Sequence, residues 1–142
     1  VTIVTRIDFD TLRSAAAAAM TRAYAPYSGF PVGAAAITVD GQIITSANVE
    51  NVSYGLGVCA EVALVSVGVS TGVLGAAGTG LAAVAVVDAN GSPLTPCGRC
   101  RQVLLEFGPS SMLVDSEAGP RTLGDLLPDA FGPSHLDAVR DR

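Results

Sequence analysis

Lysine and tryptophan are both missing from this chain of 142 residues, and histidine occurs once, as His135. All 8 basic residues are arginines, against 13 acids, which leaves a net charge of -5. An acidic chain without a basic run is poorly built to hold a phosphate backbone, so no nucleic-acid partner is expected. It suits a small, uncharged or weakly charged substrate. No apolar run approaches the ~18 residues of a membrane helix, so no membrane helix is expected. Residues 1 to 7 show neither the basic start nor the long apolar stretch of a signal peptide. Cysteine is scarce as well. Three residues, two of them in a CxxC, do not make a secreted disulfide framework, and a reducing cytoplasm is the expected setting.

What the chain does have is apolar mass, 49 % of its residues, enough to bury a core in one domain over 1–142. Its chemistry-bearing residues concentrate in two short stretches, Cys59-Ala60-Glu61 and Pro96-Cys97-Gly98-Arg99-Cys100. Together they hold every cysteine.

The apolar spacing predicts a helix capped by Asp8 or Asp10 and running to about Tyr24, with Phe9, Leu12, Ala16, Met20 and Ala23 facing the core. A strand over Val32 to Val39, the turn Asp40-Gly41 and a returning strand over Gln42 to Ala47 read as a hairpin. A polar loop, 48–57, leads into Cys59. From Cys59 to about Val69 the chain is apolar nearly all round, which predicts a buried helix. Leu81 to Val87 reads as a buried strand, Cys97 to about Phe107 as a helix, Met112 to Val114 as a short strand. A turn through Gly119 and Pro120 precedes one more short helix starting at Thr122 or Asp125. Asp129 to Arg142 reads as a tail. The strand-helix-strand unit from Leu81 to Val114 requires a parallel crossover, so the sheet is mixed and the class is α/β, with helices on the sheet faces.

Both cysteine stretches fall at predicted helix starts, where free N–H groups and a partial positive charge favour thiolates. Three thiolates can hold zinc and leave its fourth position open, the arrangement of a catalytic site. Glu61, within the first turn after Cys59, is placed to move the protons of a water there. Three alternatives stand beside this. A CxxC alone also suits a redox pair, but Cys59 and its following glutamate argue against that. A structural zinc needs a fourth ligand, and His135 reads as a surface residue. Three buried cysteines without metal remain as the third.

Taken together, the motifs resemble the small zinc-dependent cytidine deaminases of the cytidine/deoxycytidylate deaminase superfamily. The likeness rests on Tyr27-Ser28-x-Phe30-Pro31-Val32-Gly33-Ala34, Asn48-Val49-Glu50-Asn51, Cys59-Ala60-Glu61, Pro96-Cys97-Gly98-x-Cys100-Arg101-Gln102 and Leu126-Leu127-Pro128-x-Ala130-Phe131. It runs from about Leu12 to Phe131. The resemblance implies a three-layer α/β/α fold on a mixed sheet of about five strands. It implies zinc on Cys59, Cys97 and Cys100, and Glu61 as the proton carrier. Asn48 and Glu50 would hold the nucleoside sugar, the Ala60 backbone the pyrimidine edge, and Phe30 the ring face. Phe131 would close the pocket of a neighbouring subunit in a homotetramer. The implied reaction turns cytidine and 2'-deoxycytidine into the uridine counterparts plus ammonia, in pyrimidine salvage.

One departure stands out. Many members of the resembled family carry Arg after the catalytic Glu, where it offsets thiolate charge; here that position is Val62. Arg99, inside the CxxC, is the expected substitute. The pair of features also resembles blasticidin-S deaminases, which do not keep the Asn-x-Glu pair. Asn48 and Glu50 therefore favour cytidine.

Overall fold

In the computed structural model, residues 6–75 and 78–140 are described. The chain opens with α1 (Phe9–Met20), whose N-cap Asp8 accepts from the Thr11 backbone N–H. It then forms the hairpin β1 (Gly33–Thr38) and β2 (Ile43–Ala47), followed by α2 (Ala60–Ser70). β3 (Leu81–Val87), α3 (Gly98–Leu105) and β4 (Leu113–Val114) make the expected crossover unit. The chain finishes with β5 (Arg121–Thr122), α4 (Leu123–Leu126) and α5 (Pro133–Arg140). Five strands form one sheet in the order β2-β1-β3-β4-β5. Only the β3–β4 pair is parallel.

Strand alternation distributes the layers. Ala34 and Ala36 of β1 pack into a core with Leu64 of α2 and Leu104 of α3. Ala35, pointing the other way, joins Phe9, Leu12 and Ala16 of α1. One helix therefore covers one face and α2 and α3 cover the other. The α1 layer sits directly on the sheet. A Cβ on Gly33 would lie 2.0 Å from the Ala16 carbonyl oxygen and 2.6 Å from the Met20 nitrogen, so only glycine fits there. Arg13 of α1 is tied to the far end of β4, where its Nε and Nη2 donate to the two carboxylate oxygens of buried Asp115 at 2.6 and 3.0 Å. Among the described residues no helix is long and apolar enough to cross a membrane.

Four expectations are corrected. The first helix ends at Met20 rather than near Tyr24, and Met20 and Ala23 are only half-buried. α2 is not buried all round: Val67 and Val69 are 41 % and 44 % exposed on its outer face. The stretch after Gly119 is not only a turn, because Arg121 and Thr122 pair with Val114 and Leu113. The tail after Asp129 carries α5; its two larger apolar residues, Leu136 and Val139, are too few to give a helical signal and both are exposed.

Candidate active site

Topology brings the two cysteine stretches together. β1 is antiparallel to both β2 and β3, with Gly33 opposite Ala47 on one side and Val87 on the other. The C-terminal ends of β2 and β3 therefore lie at the same end of the sheet, and α2 and α3 both begin there. Cys59 is the N-cap of α2 and Cys97 the N-cap of α3, each in extended conformation. Cys100 lies in the first turn of α3 and is fully buried. The three sulfur atoms lie within 4.8 Å of one another. A tetrahedral zinc with ~2.3 Å bonds places its sulfurs roughly 3.8 Å apart, so the cluster needs only small side-chain rotations to hold one. Among the described residues no fourth such side chain joins them. His135 sits on exposed α5, with Nδ1 accepting from the Gly132 N–H.

Burial raises the Cys59 thiol above its ordinary value and pushes Cys100 up much further, helped there by the charge of Glu61. At Cys97 burial acts the same way, but the Cys100 backbone N–H and the neighbouring thiols outweigh it and lower its value. These directions belong to thiols without a metal; a coordinating thiol is deprotonated outright. Glu61 is 4 % exposed, and burial raises its carboxyl above the usual range, opposed by its own backbone N–H and the Cys100 thiol. Ala60, before it, is the first residue of α2, so its N–H is one of those a helix leaves without an internal partner.

A cleft of about 360 Å³ runs outward from the thiols, walled by Glu61, Ala60, Leu94 and Val86 and reaching Asn48 and Glu50. A second hollow of about 260 Å³ adjoins it at Glu50, Tyr54 and Gly57 and continues to Tyr27 and Ser28. Among the described residues no arginine lines either part. The Asn48–Val58 loop is stitched by backbone bonds: Val49 and Val58 exchange two, Tyr24 donates to the Asn48 carbonyl, and Glu50 donates to Tyr24. Asn48 accepts from the Val32 N–H at 2.9 Å and donates to the Phe30 carbonyl at 3.0 Å. Glu50 accepts from the backbone N–H groups of Tyr27 and Ser28, each at 3.0 Å, and from the Ser28 hydroxyl. The Ser28 hydroxyl bond, first, and the backbone donors hold the Glu50 carboxyl below its ordinary value. Each side chain keeps spare capacity, one N–H on Asn48 and about one lone-pair site on Glu50.

Other expected residues lie farther out. Phe30 is 52 % exposed beside the Ser28 turn. Phe131 is 59 % exposed and does not line the cleft of its own chain; its ring stacks on His135 at 5.3 Å. Arg99 is exposed in the first turn of α3, and among the described residues its side chain makes no hydrogen bond or ion pair. Two contributors went unassigned in the sequence. Arg101 donates to the Pro96 carbonyl, just before Cys97, and Ser28 anchors Glu50. Both stand inside the quoted motifs, but Glu50 for Ser28 and Leu126, the second partner of Arg101, lie more than twenty positions away, and only Arg101's charge hinted at a role.

Three thiols beside a buried acid, with a cleft leading away from them, define a zinc-binding hydrolase on an α/β/α frame. A family model for the cytidine and deoxycytidylate deaminase zinc-binding region matches residues 8–115, and the chain belongs to that family. It is 55 % identical over 134 residues to a cytidine deaminase of Mycobacterium tuberculosis, covering 94 % of this chain and 97 % of that protein. A crystal structure of cytidine deaminase from that organism overlays with a TM-score of 0.83 at 57 % identity, covering 89 % and 99 % of the two chains. The Mycobacterium leprae cytidine deaminase structure gives 0.82 at 48 % identity, with 87 % and 100 % covered.

Proposed function

We propose that this chain is a cytidine deaminase, acting on cytidine and 2'-deoxycytidine with water to give uridine or 2'-deoxyuridine and ammonia. The observation that carries the reading is a single cleft with Cys59, Cys97 and Glu61 at one end, backed by the buried thiol of Cys100, and Asn48 and Glu50 at the other. Cys59, Cys97 and Cys100 would hold the zinc, which when bound would supply a water acidified enough to attack carbon 4. Glu61 takes a proton from the attacking water and passes it to ring nitrogen 3. It carries the second to the departing amino group, so that ammonia leaves and the carbonyl of uracil remains. The Ala60 N–H meets the pyrimidine edge. Asn48 and Glu50 use their spare hydrogen-bonding capacity on the sugar, holding carbon 4 in register from the far end.

The sugar end favours a nucleoside over its 5'-phosphate. Glu50 is held as a carboxylate and, among the described residues, no arginine of the same chain lines the cleft, so a phosphate there would meet like charge. The same chemistry speaks against a nucleic-acid strand.

The active enzyme is a homotetramer whose pockets are completed by Phe131 of a neighbouring copy. Support comes from the apolar surface left open by one chain: Val52, Tyr54 and Leu56 on the substrate loop, Val67 and Val69 on α2, and Phe131. Three free cysteines suit a reducing cytoplasm, and the proposed reaction itself is one of pyrimidine salvage.

The test is an absorbance assay on cytidine, deoxycytidine, cytidine 5'-monophosphate and blasticidin S, using zinc-loaded protein and Glu61→Gln as control. Turnover of both nucleosides and not of the nucleotide is expected. Zinc-loaded protein that turns over neither nucleoside would overturn the reading.

A further inference from the structure

We infer that Arg101 and Gln102 are positioning residues that fix the segment carrying Phe131 to the metal-ligand stretch. The two follow Cys100 directly on α3. Arg101 donates from Nε to the Pro96 carbonyl at 2.7 Å and from Nη1 to the Leu126 carbonyl at 2.8 Å. Gln102 donates from Nε2 to the Phe131 carbonyl at 2.9 Å. The chain between those two carbonyls reverses through Pro128 and Asp129, the latter at φ 53°. Two neighbouring side chains thus hold both ends of the 126–131 reversal, and Arg101 simultaneously holds the residue before Cys97.

The Phe131 ring has little else to keep it in place. Its stacking partner, His135, belongs to the same peripheral segment and is bonded to Gly132 within it. Among the described residues, Gln102 makes the one hydrogen bond joining residues 128–140 to any residue before position 120. The position of Phe131 is therefore referenced to α3, the helix that also carries Cys100. A guanidinium fork serves two carbonyls in one plane, whereas a lysine ammonium cannot reproduce both contacts with that geometry.

The inference rests on the proposed role of Phe131 in closing a cytidine pocket. It is tested with zinc-loaded Gln102→Ala, Arg101→Ala and Arg101→Lys through steady-state kinetics on cytidine, zinc transfer to a chelator, thermal unfolding and chymotrypsin cleavage after Phe131. Loss of a neutral hydrogen bond in Gln102→Ala should raise KM about fivefold and speed cleavage after Phe131, leaving kcat, zinc transfer and unfolding temperature as in the parent. Arg101→Ala should also release zinc about tenfold faster, and Arg101→Lys should recover only part of that loss. Should Arg101→Ala not fold, Arg101→Lys carries the zinc measurement. Unchanged KM and cleavage in Gln102→Ala, or a KM rise matched by a fall in unfolding temperature, overturns the clamp. Should the parent protein not turn over cytidine, the proposed function fails, while cleavage and zinc transfer still decide the clamp.

Discussion

Glu61 and Glu50 line one cleft and differ in almost every other respect. Glu61 stands in the first turn of a helix, is nearly sealed from water, and has its carboxyl raised by burial. Glu50 lies on a loop, is surrounded by three donors, and has its carboxyl lowered. Environment, not residue type, separates a group suited to carry protons from one suited to stay charged and hold a substrate in place. A third acid sharpens the point. Asp115 is as buried as Glu61, yet it is gripped by Arg13, so it serves the frame and not the reaction.

Replacing Glu61 with Gln should have the largest effect: a fall in kcat of about a thousandfold with zinc content unchanged, measured by turnover and metal analysis on the same sample. A loss below tenfold would erase the distinction between the two cleft acids. Next is Asp115→Ala, which leaves the Arg13 guanidinium without its buried partner. Because Arg13 is partly exposed and keeps Asp10, urea unfolding should show a loss of about 2 kcal/mol, with kcat/KM intact below the new unfolding transition. Glu50→Gln keeps shape and removes charge, so KM for cytidine should rise about tenfold with a smaller change in kcat. If kcat fell and KM held, Glu50 would belong with Glu61.

The smallest effect is on stability against pH. Because the folded state lowers the Glu50 carboxyl from its ordinary value of 4.5, the contribution is full above that value. It is lost as pH falls from 4.5 through the lower folded value. Thermal unfolding between pH 6 and 3 should therefore drop more steeply for the parent than for Glu50→Gln. Parallel curves would mean that the three donors do not favour the carboxylate.

How much of this was legible in the sequence depended on whether a residue's partner lay nearby along the chain. Cys59 and Cys97 were expected at helix starts, and both are N-caps, because a helix start leaves a local signature. β3 spans Leu81–Val87 as expected, since a continuous apolar run bounded by turns has few other readings. β5 escaped because its two residues are strand only through pairing with β4. α2 misled because Val67 and Val69 look like core residues in one chain and are exposed there. In the candidate site the residue types were readable, and the wiring was not. Glu50 finds Tyr27 and Ser28 more than twenty positions away, and Arg101 finds Leu126 at a similar remove.

The three sulfurs drawn within 4.8 Å have a consequence for handling the protein in air. Stripped of zinc by a chelator, the chain presents a free CxxC with a third thiol against it, the arrangement in which a thiolate and an oxidant readily yield a disulfide. A disulfide offers no thiolate to a metal. Chelation in air is then a one-way inactivation that added zinc alone does not reverse, while chelation under reductant remains reversible, so the metal also guards its own ligands against oxidation.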